Sequence, residues 1–139
     1  MAPFHYSLTV DDLDRARGFY AGVLGCREAA SAPTWVDFDF FGHQLSVHLG
    51  PTPEPVVQGV VDGQAVPMPH FGVVLGMEDW RALAERVRAA RVSFVMEPTL
   101  RYAGNVREQG TFFVRDPSGN ALEFKAMRDP AALFTPLKY

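Results

Sequence analysis

Residues 3–10 read Pro-Phe-His-Tyr-Ser-Leu-Thr-Val, and residues 69–75 read Pro-His-Phe-Gly-Val-Val-Leu. Each stretch combines apolar and β-favouring residues with a histidine near its start, which predicts a short strand. An acidic pair follows each stretch, Asp11-Asp12 in one case and Glu78-Asp79 in the other, and apolar residues at helical spacing come next. Because the same succession occurs twice, the chain is predicted to fold as two equivalent modules.

The remainder of each module is predicted to be mainly β-strand. Residues 35–41 alternate, with Val36, Phe38 and Phe40 on one face and Trp35, Asp37 and Asp39 on the other. The predicted strands cover residues 4–10, 26–30, 35–41 and 44–49 of the first module, and residues 70–75, 92–96, 110–115 and 121–127 of the second. The order β-α-β-β-β is therefore expected in each half.

The chain of 139 residues is expected to form a single domain, residues 1–139, with a core of its own. Within it we predict a first module over residues 1–50, a linker over 51–68, a second module over 69–127 and a tail over 128–139. Residues 50–69 contain five prolines and three glycines and no helical pattern, which is typical of a linker or a loop covering a site.

Composition excludes several classes of protein. The formal net charge is −3 and no basic cluster is present, so nucleic acid is not an expected partner. No apolar run reaches the length of about 18 residues that a membrane-spanning helix needs, and no signal-peptide pattern precedes the first strand. The single cysteine, Cys26, fits a reducing compartment, so we expect a cytoplasmic protein that does not bind membranes.

Three residues of the repeat predict a metal site. If the equivalent strands meet across a pseudo-twofold axis, His5 and His70 come together, and Glu123 can join them. Two imidazoles and a carboxylate suit a divalent ion and leave open positions for a substrate with two oxygen donors. A single histidine that starts a strand is more often an ordinary surface or half-buried residue. Glu123, between Leu122 and Phe124, would need a partner if it is buried.

Residues 112–124 carry the most specific motif, Phe-Phe-Val-Arg-Asp-Pro-Ser-Gly-Asn-Ala-Leu-Glu-Phe. Its D-P-x-G-x-x-[IL]-E ending and the paired openings at His5 and His70 resemble the vicinal oxygen chelate superfamily. That superfamily groups glyoxalase I, bleomycin-resistance proteins, fosfomycin-resistance transferases and extradiol dioxygenases. The resemblance covers almost the whole chain. It implies an α+β fold, in which two βαβββ modules related by pseudo-twofold symmetry form a cup-shaped barrel around a metal, as in the glyoxalase/bleomycin resistance/dihydroxybiphenyl dioxygenase fold.

The same resemblance implies His5, His70 and Glu123 as ligands of a divalent ion, which could be Fe(II), Mn, Ni, Co or Zn. The family's fourth ligand position is less clear in this chain. Glu123 lies four residues after Gly119, and four residues after Gly42 stands Ser46, a poor metal ligand. His48 lies two residues further on the same face and could be a ligand, a substrate contact or a structural residue.

The expected function is a metal-dependent enzyme acting on a small bidentate oxygen-bearing substrate. Its reaction would be either extradiol-type dioxygenation or glyoxalase-type lyase or isomerase chemistry, with catalytic roles for His48 and Glu123. Arg101 and Tyr102 suit an anionic, partly aromatic substrate, and Phe38 is a further candidate for substrate binding. The alternative is a metal-free drug-binding protein of the bleomycin-resistance type. Chains of this size in the superfamily commonly pair, so a homodimer is expected, either closed or with swapped modules.

Overall fold

The computed structural model describes residues 2–52, 58–61 and 63–136, and this part of the chain contains ten strands and two α-helices. The strands are β1 His5–Val10, β2 Arg27–Ala32, β3 Trp35–Phe40, β4 His43–Leu49, β5 Gln58–Val61, β6 Gln64–Pro67, β7 Val74–Leu75, β8 Phe94–Arg101, β9 Gln109–Arg115 and β10 Ala121–Met127. The helices are α1 Leu13–Arg17, which continues as a π-helical segment Gly18–Val23, and α2 Met77–Ala89. A 3-10 helix, Pro130–Phe134, lies near the C-terminus.

The first four strands form one sheet in the order β1-β4-β3-β2, in which β1 runs parallel to β4 and the other neighbours are antiparallel. The alternation of β3 buries Val36, Phe38 and Phe40, as predicted. On this buried face the ring of Phe38 lies 5.5 Å from the ring of Tyr20 in the π-helical segment. This buried face is the hydrophobic core of the first sheet. Each fully buried aromatic or branched side chain stabilises the fold by about 1.5–3 kcal/mol.

Strands β7 to β10 form a second sheet with the same topology, in the order β7-β10-β9-β8. Helix α2 begins after Gly76 and buries a stripe made of Trp80, Leu83, Ala84 and Val87, which recur at helical spacing. As in the first sheet, the opening strand, β7, is parallel to the last strand, β10. The order of the elements along the chain gives each half the succession β-α-β-β-β. The predicted α+β class with two βαβββ modules is confirmed.

The Asp-Pro-Ser-Gly-Asn motif is a turn held by one buried carboxylate. Asp116, 4% exposed, accepts hydrogen bonds from the backbone N–H groups of Ser118 and Asn120 and from the Asn120 side chain. Its Oδ2 also accepts from the Tyr20 hydroxyl at 2.8 Å, and the Asn120 amide donates to the carbonyl of Thr9 at 2.9 Å. The Asp-Pro-Ser-Gly-Asn part of the motif therefore has a structural role, which is to form this turn.

The linker differs from the prediction. Residues 58–61 and 64–67 form an antiparallel hairpin, where the sequence predicted only a linker or loop. Gly63, with a φ of 76°, provides the backbone conformation that the turn between these strands requires. Four of the five prolines of residues 50–69 lie outside the two paired strands. Their density around the hairpin led to the prediction of a linker or loop. Residues 53–57 of the predicted linker lie outside the described residues.

Two strands of the second module also differ in length from the prediction. The strand predicted over residues 70–75 is reduced to β7, preceded by an isolated bridge between Phe71 and Leu122. The strand predicted over residues 92–96 instead runs from Phe94 to Arg101.

The chain divides into two compact units. The first comprises Met1–His70 with Arg115–Ala121, and the second comprises Phe71–Val114 with Leu122–Tyr139. None of the helices in the described part of the chain has the length and apolar character needed to cross a membrane.

Candidate metal centre

One face of the first sheet is lined mainly by polar side chains. In the parallel pairing of β1 with β4, His5 lies opposite Gln44 and Ser7 opposite Ser46, and residues directly opposite each other share a face. The antiparallel pairing adds residues of β3, with Asp37 opposite Ser46. We call this surface the polar face; its members are His5, Ser7, Thr9, Trp35, Asp37, Asp39, Gln44, Ser46 and His48.

His5 is held by hydrogen bonds at both ring nitrogens. Its Nδ1 lies 2.8 Å from Oε1 of Gln44, and its Nε2 lies 3.2 Å from the Ser7 hydroxyl. A carboxamide oxygen can only accept, so Nδ1 of the neutral ring carries the proton. Nε2 therefore has the lone pair and accepts from Ser7, and this lone pair is the one that a metal ion would use.

The amide of Gln44 is itself oriented by an acid. Its Nε2 donates to Oδ2 of Asp37 at 3.2 Å, and the other carboxylate oxygen, Oδ1, accepts from the Ser46 hydroxyl at 2.6 Å. Ser46 is only 7% exposed, so this hydroxyl is committed to Asp37. A continuous hydrogen-bonded chain therefore runs from Ser46 through Asp37 and Gln44 to His5.

His70 has a comparable arrangement with a different partner. Its Nδ1 lies 2.7 Å from the backbone carbonyl oxygen of Pro67, at the end of β6. A carbonyl oxygen only accepts, so Nδ1 of a neutral ring donates here as well and the lone pair lies on Nε2. The two histidines thus favour the same tautomer.

The registers of the two sheets agree with the repeat in the sequence. In the first sheet Tyr6 lies opposite Leu45. His5 directly precedes Tyr6, and Ser46 directly follows Leu45. In the second, Phe71, directly after His70, lies opposite Leu122, directly before Glu123. His5 and His70 therefore occupy equivalent positions of the fold, and the equivalent of Glu123 is Ser46.

Glu123 lies on β10 in the second unit and is half-buried. Its Oε2 accepts a hydrogen bond from the Thr111 hydroxyl at 2.5 Å, and its backbone N–H donates to the carbonyl of Phe71 at 2.8 Å. The carboxylate is thus fixed by a neighbour on β9. A half-buried carboxylate with a short hydrogen bond is a suitable hard ligand for a divalent ion.

The other predicted site residues lie in different surroundings. His48 is exposed on the polar face, with its ring 6.5 Å from that of Trp35. Arg101 donates to the Tyr102 hydroxyl at 3.1 Å, and its guanidinium lies 5.1 Å from the centre of the Tyr102 ring. Phe38 is 1% exposed on the opposite face of β3, so we assign it to the core and no longer to substrate binding.

No group of three or more His, Cys, Asp or Glu side chains stands close enough to hold a metal ion among the residues that the structure describes. The structure brings His5 together with Gln44 and Ser7, and Glu123 together with Thr111. A common ion for His5, His70 and Glu123 accordingly stays a prediction.

Sequence reasoning missed Gln44 and Asp37 as contributors to the surroundings of His5. The alternation of β3 had already placed Asp37 on the face away from Phe38. What the sequence lacked was the register between β3 and β4, which decides that Asp37 reaches Gln44 and Ser46. A carboxylate at alternating positions of a strand is only a weak signal, because solvated faces carry the same pattern.

Comparison with known proteins places the chain in a family. The family model described as Glyoxalase/Bleomycin resistance protein/Dioxygenase superfamily matches residues 3–124. The chain belongs to this superfamily. A solved glyoxalase/bleomycin resistance protein/dioxygenase from Alicyclobacillus acidocaldarius is 32% identical, with a TM-score of 0.74 and 96% of each chain covered. The resemblance drawn from the sequence motifs is confirmed.

Two less similar solved structures share the fold. Lactoylglutathione lyase from Agrobacterium tumefaciens is 22% identical, with a TM-score of 0.65 over 90% of this chain and 92% of that chain. TioX from Micromonospora sp. ML1 is 23% identical, with a TM-score of 0.66 over 91% of this chain and 99% of that chain. No curated protein sequence matches the chain.

The donor atoms of the three predicted ligands are of the types that suit the divalent ion implied by this glyoxalase-superfamily fold. Metal-bound histidine typically donates its second ring N–H to an acceptor oxygen, which fixes the tautomer and the orientation of the ring. His5 and His70 each have Nδ1 against such an oxygen, from Gln44 and Pro67 respectively. With the carboxylate of Glu123, the chain supplies two imidazole nitrogens and one anionic oxygen, a donor set that suits Fe, Mn, Co, Ni or Zn.

Proposed function

We propose that this protein is a divalent-metal-dependent enzyme that acts on a small substrate bearing two neighbouring oxygen atoms. The observation that carries the proposal is the equivalence of His5 and His70 in the two registers, together with an acceptor oxygen at Nδ1 of each ring. Equivalent positions and a common tautomer with the lone pair on Nε2 are what two histidine ligands of one ion would require. The proposed ligands are Nε2 of His5, Nε2 of His70 and the carboxylate of Glu123.

A bound divalent ion would supply Lewis-acid polarisation of the substrate oxygens. The protein residues would orient and bind the substrate around it. Arg101 and Tyr102 already form a cation–aromatic pair, and such a pair could receive an anionic group and an aromatic ring of the substrate. His48 is exposed on the polar face and could give or take a proton.

The proposal covers two reaction types, and Ser46 bears on the choice between them. A glyoxalase-type isomerisation or lyase reaction uses a carboxylate base at the position equivalent to Glu123, and this chain has Ser46 there, hydrogen-bonded to Asp37. Extradiol-type dioxygenation needs the three ligands and a nearby histidine, a role open to His48. The serine therefore favours dioxygenation of a catechol-like substrate over the glyoxalase reaction.

We also propose that the enzyme works in the cytoplasm as a homodimer. Cys26 is the one cysteine of the sequence and is buried, so no disulfide can form within the chain, which suits a reducing compartment. Superfamily members of this size commonly form homodimers, which supports a homodimer here.

Elemental analysis of anaerobically purified protein tests the metal site. Near-stoichiometric metal is expected in the wild-type chain and in the control variant His43→Ala. The ring of His43 accepts a hydrogen bond from the backbone N–H of Phe4 and is not a proposed ligand. His5→Ala, His70→Ala and Glu123→Ala should each lose most of the metal, because three-ligand sites tolerate the loss of a ligand poorly. Bound iron would direct assays to oxygen uptake with catechols, and other metals to lyase and isomerase assays.

Two outcomes would contradict the proposal. Metal content unchanged in all three ligand variants would reject the ligand assignment. A wild-type chain that takes up no metal even after reconstitution would reject the enzyme and favour a metal-free drug-binding protein of the bleomycin-resistance type.

A further inference from the structure

The two proposed histidine ligands are oriented by different kinds of acceptor. His70 donates to the backbone carbonyl of Pro67, whose orientation is fixed by the chain. His5 donates to the side-chain amide of Gln44, which can rotate. The tautomer of His5 therefore depends on what holds the Gln44 amide, a dependence that His70 does not have.

A carboxamide has two orientations of almost the same shape, in which oxygen and nitrogen exchange places. In the observed orientation, oxygen faces Nδ1 of His5 and the NH2 group faces Asp37. In the opposite orientation, NH2 would face Nδ1, and the imidazole would have to accept there and carry its proton on Nε2. That tautomer would remove the lone pair from the nitrogen that we assign to the metal.

Asp37 discriminates between these orientations. Its ionised carboxylate only accepts hydrogen bonds, so it pairs with the NH2 group of Gln44 and would be repelled by the amide oxygen. The hydroxyl of Ser46 donates to the other oxygen of Asp37 at 2.6 Å and holds the carboxylate in place. Half-burial of Asp37 limits competition from water and strengthens both contacts.

We propose that Asp37 is a positioning residue for the metal centre, which it serves by orienting the Gln44 amide and thereby keeping the proton of His5 on Nδ1. The inference rests on the proposed function, since it assigns Nε2 of His5 to the metal. It adds a residue that touches neither the ion nor the substrate.

Asp37→Asn tests the inference with almost no change in shape. An asparagine amide can either donate to or accept from Gln44, so discrimination is lost and a second tautomer of His5 should become populated. Nitrogen-15 NMR of metal-free protein at about pH 8.5, where a free imidazole is neutral, reports the tautomer directly. The His5 signals are assigned by their loss in His5→Ala.

The affinity for Zn(II), measured by calorimetric titration, should fall about 10–100-fold in Asp37→Asn, the usual effect of removing an outer-shell partner. Asp39→Asn is the matched control, because Asp39 lies on the same strand and face but contacts the backbone N–H of Gly42 and the side chain of Arg27. This control should keep the single tautomer and the wild-type affinity.

A second substitution should rescue the first. In the double variant Asp37→Asn/Gln44→Glu, the new carboxylate can only accept from Nδ1 of His5 and can receive the amide of the new asparagine. The proton of His5 should return to Nδ1, and the affinity for Zn(II) should recover to within a few-fold of wild type. The double variant also restores the net charge, so the tautomer reported by NMR is the deciding readout. A merely structural role of Asp37 would give no return of the proton to Nδ1.

The outcomes separate the inference from the proposed function. An unchanged tautomer and unchanged affinity in Asp37→Asn, with wild-type protein that binds Zn(II), would overturn the inference and leave the proposed function standing. Weaker binding without rescue in the double variant would overturn it too. Wild-type protein that binds no Zn(II) would overturn the proposed function and the inference together.

Discussion

At the scale of single residues, the contacts that matter most join distant parts of the sequence. Tyr20 and Asp116 are 96 residues apart, yet the tyrosine hydroxyl donates to the carboxylate at 2.8 Å and both groups are buried. Burial raises the pKa of the Tyr20 hydroxyl well above its usual range, and the neighbouring charge of Asp116 raises it further. Both causes disfavour the phenolate, so the neutral hydroxyl is a stabilising donor in the folded state.

Tyr20→Phe should lower the free energy of unfolding by about 2 kcal/mol at neutral pH, the size of a hydrogen bond to a charged group. Because the folded-state pKa is raised, the stabilisation by the hydroxyl is complete below the ordinary tyrosine pKa. It is lost as the pH rises from about 10 towards the folded-state value. The difference between wild type and variant should therefore shrink in alkaline solution.

Urea unfolding followed by circular dichroism between neutral and alkaline pH measures this difference. Tyr102→Phe is the control, since Tyr102 is 43% exposed and its loss should change stability little. A difference between wild type and Tyr20→Phe that grows with pH would contradict the assigned direction of the shift.

At the scale of elements, the pleat of β3 decides which chemistry faces which side. The strand alternates strictly, so Phe38 enters the core while Asp37 and Asp39 stay on the polar face. A shift of the register by one residue would exchange these faces and bury two carboxylates, at a prohibitive cost. The burial of Phe38 and the position of the Asp37 network are therefore two consequences of one register.

Gly72 is a second element-scale constraint, in the approach to β7. A Cβ atom at this position would overlap the backbone carbonyl oxygen of Glu123, and backbone cannot move aside as a flexible side chain can. Gly72→Ala should destabilise the fold by about 3 kcal/mol, the upper range for overpacking, and should disturb the strand that carries Glu123.

Thermal unfolding of Gly72→Ala against Gly18→Ala checks this prediction. A Cβ at Gly18 meets nothing within 4 Å, and its φ of −58° is helical, so alanine there should be neutral or stabilise by about 0.5–1 kcal/mol. Equal melting temperatures for the two variants would show that the strand can shift to accept the methyl group.

At the scale of the whole molecule, the repeat gives two sheets of identical strand order, and the chain exposes several large apolar side chains. Among the described residues these include Phe4, Val60, Val106 and Phe134, which are 66%, 74%, 70% and 86% exposed. Exposed apolar side chains that are scattered over several segments are ordinary on a protein surface and do not by themselves identify an interface. The homodimer that we propose rests on the resemblance to superfamily members of this size.

Light scattering coupled to gel filtration should give twice the chain mass of 15.4 kDa. Phe134→Ser, in the tail, should weaken dimerisation about tenfold, because aromatic anchors contribute most to interfaces. We propose that the tail, residues 128–139, contributes to the dimer interface, so Val106→Ser, which removes a comparably exposed side chain from the loop between β8 and β9, should leave the dimer intact. A monomeric mass for wild type would contradict the homodimer, and equal behaviour of the two variants would contradict the role of the tail.

The sequence by itself determined the class of the fold and the equivalence of His5 and His70, because both follow from local alternation and from a repeat that is visible in the letters. Only the tertiary structure decided that Asp37 orients Gln44, that Tyr20 reaches Asp116, that Phe38 is core and that residues 58–67 contain a hairpin. These contacts depend on the register between strands and on packing across the chain, and both are collective properties of the folded state that no local pattern encodes.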